Sequence, residues 1–540
     1  MRWSGCRTKR LSIPCRILMR RRCSRKPGAI SSPRRVIPRR QSRVRASFQP
    51  VRVSYRGRCG DRGDRGDSAL IDPTSSELRV HNTLTRKLDK FEPIRPKRVN
   101  MFVCGPTVWD VSHIGHGKTY VAYDIIARYL RRKGFSVFFL LNITDIDDKI
   151  INKAHDLGEQ PLVLADRLAK AFFKDMKELH VDSVNLYAKA SDHIPEIIDQ
   201  VTGLLKKGIA YRVDDDVYFD ISKFPGYGKL SHQKLEDLTV HRVDPDPRKK
   251  HPGDFALWKS QKPGEIFWES PWGKGRPGWH IEDTAITLTY FGPRYDVHGG
   301  GSDLIFPHHE AEIAQTEGLT GKKPLARYWL HTGLMSIKGQ EMHKSLGNFI
   351  PIRDMVRKVG APGLRVFYAG THYRSPLDFT EEALQQAVSL ARRFRRAHDQ
   401  LALARDRMTG KKGEANSVLN QLDEARDEFF KAMDDDFNTP GALAAYIRMV
   451  GLAEEEARNP KTESVNAIIS ALEDLGSVLG VLETETVAQD RVSELVNFVL
   501  ELRNELRSKR DYDSADRIRD RMAKLGFVVE DSAEQTHWMT

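Results

Sequence analysis

His113 and His116 stand three residues apart, with Ile114 and Gly115 between them, where a short apolar run gives way to a helical pattern. Val99–Cys104 reads as a strand that Gly105-Pro106 ends, and Tyr120, Ile125, Ile126 and Leu130 then recur at helical spacing. A strand, a loop and a helix start place backbone N–H groups and a positive dipole end where phosphate binds. Two imidazoles there can donate to phosphate oxygens as negative charge builds at phosphorus, and Gly115 keeps the backbone close to a nucleotide. Two surface histidines at a helix cap are the plainer alternative. Gly117-Lys118-Thr119 offers a rival phosphate site, the end of a P-loop. That pattern needs a glycine five residues before Gly117, where Ser112 stands, so the P-loop is rejected.

A second group could hold a metal. His308 and Glu312 are spaced i, i+4, which puts them on one face of a helix. Cys104 ends a strand, and Asp283 follows Trp279-His280. One thiolate, one imidazole and two carboxylates form a donor set that zinc accepts. From spacing alone, a helix-start histidine beside a solvated glutamate has the stronger claim. A zincin is excluded, because His309-Glu310 lacks the second histidine of H-E-x-x-H.

The elements that must position these groups are legible in outline. Phe135–Ile143 is a continuous apolar run of strand length, so strand, helix and strand make a βαβ unit with a parallel sheet. Asp145-Ile146-Asp147-Asp148 follows at the carboxyl end of the second strand, where open α/β sheets place ligands. The predicted fold class is α/β: a Rossmann-like, doubly wound parallel sheet with an insertion, followed by an all-α helical bundle and a small C-terminal module. The expected boundaries are 1–75 for a leader and linker, 76–150 and 271–335 for the two halves of the catalytic domain, and 151–270 for a connective insertion. Residues 336–379 form a stem-contact region, 380–485 the bundle and 486–540 the terminal module. In the bundle, Leu384, Val388, Ala391 and Phe394 recur at helical spacing, as do Val465, Ile468, Ile469, Leu472 and Leu475. So do Leu495, Val499, Leu502 and Leu506; residues 409–413 read as a loop, and Gly526 as a helix stop.

Charge is distributed unevenly. Residues 1–60 hold 17 Arg, 2 Lys and no acidic residue, a charge of +19 against +14 for the whole chain, so the remainder carries −5. An Arg-rich, Ser-containing, acid-free leader has the composition of an organelle transit peptide, with a basic nucleic-acid-binding arm as the alternative. The expected destination is the mitochondrial matrix or the plastid stroma, with the cytoplasm as a minor alternative. The Arg-Gly-Asp repeat at 62–67 reads as solvated linker. No apolar run approaches the roughly 20 residues of a membrane span, so no membrane partner is expected. Cys6, Cys15, Cys23 and Cys59 lie in the leader, which leaves Cys104 alone in the body and excludes a disulfide framework there.

Resemblance decides between these readings. His113-Ile114-Gly115-His116 and Met342-His343-Lys344-Ser345 resemble the HIGH and KMSKS signatures of class I aminoacyl-tRNA synthetases. The stretches 102–110, 142–149, 270–282, His298-Gly299-Gly300-Gly301, 433–440 and Arg510-Asp511 resemble the cysteinyl-tRNA synthetases in particular, from about residue 78 to the C-terminus. The resemblance implies a cysteine–tRNA ligase that uses ATP with Mg²⁺, L-cysteine and tRNA(Cys), and acts as a monomer. It implies zinc ligands at Cys104, Asp283, His308 and Glu312, with the substrate thiol on the zinc. It implies cysteine contacts from Gly105, Thr144, Trp279 and His298, and ATP contacts from His113, Gly115, His116, Asp303 and Lys344. His113, His116 and Lys344 would be the catalytic groups.

Two departures from the family stand out. Asp283 stands where cysteine is usual, which keeps the ligand's charge but makes it harder. Glu341 and His343 replace the usual lysine and serine, while Lys344 remains to neutralise the leaving pyrophosphate. Serine differs from cysteine by one atom, and shape separates near-isosteres poorly, so selection at a metal replaces an editing domain. The alternatives are a cysteine:aminosugar ligase and a catalytically silent RNA-binding protein on the same scaffold.

Overall fold

The computed structural model describes residues 77–233, 246–342, 348–406, 416–482, 487–524, 527–531 and 536–539. They begin with a hairpin, β1 (Arg79–Asn82) and β2 (Lys87–Lys90), in which Val80 and Asn82 turn inward. In β3 (Arg98–Val103), Met101, Phe102 and Val103 have no exposure, as a strand covered on both faces requires. α1 (Ile114–Arg132) and β4 (Ser136–Ile143) complete the expected unit, with β3 and β4 parallel. Gly134, at φ +85°, lets the chain turn out of α1 into β4.

α2 (Asp148–Leu157), α3 (Pro161–Glu178) and β5 (Leu186–Lys189) follow, and β5 pairs in parallel with β4. This corrects the expected boundaries: residues 151–189 belong to the sheet domain and not to an insertion. β5 is a four-residue edge strand, so it lacks the long apolar run that revealed β3 and β4. α4 (Ile194–Lys206) leads to an antiparallel sheet of β6 (Ala210–Val213), β7 (Asp216–Phe219), β8 (Phe255–Ser260), β9 (Trp268–Ser270) and β10 (Gly273–Pro277). That sheet is the inserted segment, and the expected end at 270 falls inside it.

α5 (Trp279–Tyr290), β11 (Tyr295–Gly301), α6 (Glu310–Thr320) and β12 (Ala326–Thr332) return the chain to the main sheet. Its order is β12-β11-β3-β4-β5, with every pairing parallel. The chain leaves β3 to one side and comes back to β11 on the other, so a crevice opens at the carboxyl ends of these two strands. β13 (Met335–Ile337), β14 (Gln340–Glu341) and β15 (Leu377–Phe379) form a small sheet, with α7 (Ile352–Val359) and α8 (Ala361–Ala369) between its last two strands in the chain.

The helical part comprises α9 (Glu381–Asp406), α10 (Asn416–Asp434), α11 (Thr439–Glu456), α12 (Thr462–Leu479), α13 (Val487–Ser508) and α14 (Tyr512–Lys524). The apolar positions expected on α9 and α12 are buried. On α13 the stripe holds in part: Val499 packs against the cluster of Val496, Leu500 and Met522 of α14, whereas Leu502 is 41% exposed. This helix carries apolar residues on two faces, and spacing does not say which one a neighbour covers. β16 (Val528–Asp531) and β17 (Thr536–Met539) pair as a hairpin. Residues 409–413 and Gly526 lie outside the described residues.

One buried arginine ties the bundle to the sheet domain. Arg365 of α8, with no exposure, donates to Asp124 Oδ2 of α1 at 2.7 Å, to the Leu479 carbonyl of α12 at 2.9 Å and to the Leu179 and His180 carbonyls at 3.1 Å each. Arg365→Ala leaves a buried carboxylate and three carbonyls short of a donor. Asp124 keeps Arg128 Nε at 2.7 Å, so no buried charge is stranded, and the expected cost is about 1–3 kcal/mol from the orphaned carbonyls, read as a lowered urea midpoint at unchanged slope.

Candidate active site

Four segments converge at the carboxyl edge of the main sheet. Cys104 follows β3, Asp283 lies in the first turns of α5, His298 is in β11, and His308, His309 and Glu312 sit at the entry to α6; all are buried. The thiol sulfur is 3.1 Å from Asp283 Oδ2, 3.1 Å from His309 Nε2, 3.6 Å from His298 Nε2 and 3.9 Å from Glu312 Oε1. His308 Nε2 lies 3.1 Å from Asp283 Oδ2 and 3.3 Å from Glu312 Oε1, so the i, i+4 spacing does bring that pair together. Donor atoms of Cys104, Asp283, His308 and Glu312 all lie within 4.8 Å of one another, and so do those of Cys104, His298, His309 and Glu312.

This cluster is rich in electron pairs. Burial pushes the Cys104 thiol well above its usual range, and the facing Asp283 and Glu312 carboxyls add to the shift. Glu312 is raised by burial and then by Asp283, and its Oε2 has no hydrogen-bond partner. Burial drives His298 and His309 well down, so both rings are neutral and can donate a lone pair. A dication of zinc's size and softness fits these donors.

The far side of each imidazole is engaged. His280 Nδ1 lies 2.8 Å from His308 Nδ1, His309 Nδ1 lies 2.8 Å from His331 Nε2, and the Tyr295 hydroxyl lies 2.7 Å from His298 Nδ1. These partners fix the rings with Nε2 toward the cluster. Trp279, 37% exposed, stacks on His308 at 4.2 Å and 14° and forms an apolar wall beside the donors. Asn142 donates to Asp283 Oδ1 at 2.5 Å and accepts the Gly105 amide at 2.6 Å, joining the ends of β3 and β4 to the cluster. A Cβ on Gly105 would overlap the Asn142 carbonyl, so no other residue fits there. Thr144 is buried, 3.4 Å from the Asn142 amide, and Asp303 is exposed in the turn Ser302–Leu304 after β11.

Sequence reasoning missed His280, His309, His331 and Asn142 as parts of the site. The doublet His308-His309 was the available signal; Asn142 is hidden in an apolar run. His331 also carries a pH prediction. Burial takes it from 6.5 to about 3, so its neutral form favours folding fully above pH 6.5, and that contribution is lost as pH falls toward 3. Between about pH 6.5 and 5 the expected loss is about 2 kcal/mol, measured as a falling urea midpoint. A midpoint flat over that range would contradict it.

The histidine pair lies at the start of α1. His113 caps the helix, its Nδ1 accepting the Gly115 amide at 3.1 Å, while His116 Nδ1 accepts the His113 amide at 3.2 Å. The two rings lie 3.9 Å apart. Burial and the neighbouring His113 take His116 down to about 3, so at neutral pH it is an uncharged hydrogen-bonding group. Residues 343–347, including His343 and Lys344, lie outside the described residues, but both flanks reach α1. Met342 stands against Gly115, the Phe349 ring meets His113 at 5.3 Å, and the Ile350 carbonyl accepts the Ile114 amide at 3.0 Å. Lys118 turns away from any phosphate. The residue is 2% exposed, and its ammonium donates to the carbonyls of Gly333, Ser375 (3.0 Å) and Tyr373 (3.3 Å), as the rejected P-loop requires.

A parallel sheet with a capped helix start and a donor cluster at its carboxyl edge is the catalytic domain of a class I aminoacyl-tRNA synthetase. Residues 90–389 match the family described as tRNA synthetases class I (C) catalytic domain. Methionyl-tRNA synthetase of Mycobacterium tuberculosis, in complex with methionyl-adenylate, shares the fold at TM-score 0.53 and 17% identity, covering 71% of this chain and 90% of its own. The LeuRS–tRNA–LeuAMS complex of Agrobacterium radiobacter K84 does so at TM-score 0.54 and 12% identity, covering 73% and 84%.

Residues 428–483 match the DALR domain, and residues 489–538 the cysteinyl-tRNA ligase anticodon binding domain. The cysteine–tRNA ligases of Thermococcus onnurineus (strain NA1) and Pyrococcus horikoshii are each 44% identical to it, over 85% of this chain and 98% of theirs. The chain belongs to the cysteinyl-tRNA synthetase family.

Proposed function

We infer that this protein joins cysteine to tRNA(Cys) at the expense of ATP, and that zinc held by Cys104, Asp283, His308 and Glu312 selects the amino acid through its sulfur. The observation that carries this reading is the convergence of those four donors within 4.8 Å, in a chain of this family. Bound there, zinc would supply a preference for a soft thiolate over a neutral hydroxyl. Trp279 would wall the side-chain pocket, Gly105 and Thr144 would hold the amino acid's backbone, and His298 would face the amino acid.

ATP with Mg²⁺ would bind over the start of α1, where Gly115 keeps the protein backbone close to the nucleotide and Asp303 would face it. A cysteine carboxylate oxygen attacks the α-phosphorus, the bond to pyrophosphate breaks, and His113, His116 and Lys344 stabilise the spreading phosphate charge. The adenylate's acyl carbon then passes to a terminal ribose hydroxyl of tRNA, and AMP leaves. The helical domains hold the tRNA, and the protein acts as a monomer. Matches to the DALR and anticodon-binding domains favour this reading over the aminosugar ligase and the silent scaffold protein.

Metal analysis of the purified protein, with cysteine- and serine-dependent ATP–pyrophosphate exchange, tests the proposal. One zinc per chain and exchange with cysteine alone are expected. A metal-free enzyme that still rejected serine would refute the zinc reading. We propose further that residues 1–75 direct the chain to a mitochondrion or plastid, tested by fusing them to a fluorescent reporter.

A further inference from the structure

Two aspartates outside the active site tie the helical bundle to the helix that carries the histidine pair. They lie in the stretch 433–440, at the turn between α10 and α11. Asp434 Oδ1 accepts the Tyr129 hydroxyl at 2.6 Å, and its Oδ2 pairs with the Lys133 ammonium at 3.0 Å. Tyr129 and Lys133 stand at the end of α1 opposite His113 and His116. Asp436 Oδ1 accepts the His81 amide of β1 and the Tyr373 hydroxyl, each at 2.8 Å, and its Oδ2 accepts Arg374 Nε at 2.6 Å. The Tyr373 carbonyl in turn accepts Lys118, two residues beyond His116. Through Asp434 and Asp436, one turn of the bundle holds both halves of α1.

The turn is built for this contact rather than for its own comfort. Asp436 and Phe437 have φ values of +55° and +52°, a left-handed conformation that residues with a Cβ adopt at a cost. Phe437 is buried, with its ring 6.2 Å from Tyr129 and 6.4 Å from Tyr373. Asn438 then caps α11 by accepting the Gly441 amide at 3.1 Å. Backbone strain, two charged contacts and a buried ring all serve one orientation of bundle against sheet domain. α11 leaves this turn as an 18-residue rod about 27 Å long, so a small tilt at the turn becomes a displacement farther out in the bundle.

We propose that Asp434 and Asp436 are positioning residues for transfer to tRNA: they fix the angle at which a tRNA gripped by the bundle delivers its acceptor end to the catalytic crevice. This rests on the function proposed above. Adenylate formation needs no tRNA, so it should not depend on this angle, whereas a misplacement of about 1 Å in the transfer step costs on the order of 10²-fold.

The test uses the full chain with Asp434→Ala and Asp436→Ala. The expected result is tRNA(Cys) charging lowered on the order of 10²-fold in kcat, with cysteine-dependent ATP–pyrophosphate exchange and tRNA(Cys) binding close to wild type. Asp436→Asn, which keeps an acceptor for His81 and Tyr373, should recover part of the charging. Tyr129→Phe removes a single hydroxyl from Asp434 and serves where an alanine variant fails to fold. Charging at the wild-type rate, or a parallel loss of exchange and charging in folded variants, overturns the proposal. Absence of exchange in the wild type would instead overturn the function on which it rests.

Discussion

Cys104→Ala is expected to empty the metal site and to collapse discrimination between cysteine and serine. Both four-donor groups use Cys104, so its loss breaks the cluster whichever set holds the ion. A site that makes a specific polar bond to its substrate rejects the analogue by about 10⁴-fold or more, and a site that relies on shape by about 10². The variant should fall from the first regime to the second as cysteine-dependent exchange drops, and metal analysis should find well under one ion per chain. His309→Ala is the matched control. If Asp283 and His308 are ligands, it keeps its ion; if the set is His298 with His309, it does not. An ion retained at full stoichiometry in Cys104→Ala would remove the proposed site altogether.

Lys344→Ala should slow adenylate formation by about 10²–10³-fold, the usual effect of deleting one donor to a developing oxyanion. The KM for cysteine should change little, since that pocket lies among β3, α5 and α6, while Met342 and Phe349 tether the Lys344 segment to the start of α1. Loss in kcat with binding unchanged marks an interaction made in the transition state. A loss below about tenfold would show that this lysine does not meet the leaving pyrophosphate.

Much of the fold could be read from the sequence, for physical reasons that differ from element to element. β3, α1 and β4 announce themselves because strands buried on both faces need long apolar runs, and the helix between them needs a period near 3.6 residues. β5 was missed because four residues at a sheet edge carry too little pattern, and that omission put the domain boundary in the wrong place. α13 misled in part through its second apolar face.

The site was legible in parts. Spacing alone placed His308 and Glu312 on one helix face, and the structure brings them to 3.3 Å. Nothing local could join Cys104 to Asp283, because only tertiary packing brings the end of β3 against the first turns of α5. His309 and His331 enter through tertiary packing, as does the carbonyl nest around Lys118. Resemblance supplied the proposed ligand set and the proposed role of Lys344; the structure brings those four donors within 4.8 Å, and Cys104, His298, His309 and Glu312 equally so.

Cys104 and Glu312 approach to 3.9 Å although 208 residues separate them in the chain. A ribosome must therefore release most of the catalytic domain before the donor set can assemble, and no early fragment holds it. Any occupant would latch a long loop that is entropically expensive to close, and would stabilise the finished fold alone. Under the proposed zinc reading, metal supply and folding yield would thereby be linked: a nascent chain starved of the ion would lose its staple along with its means of choosing a substrate.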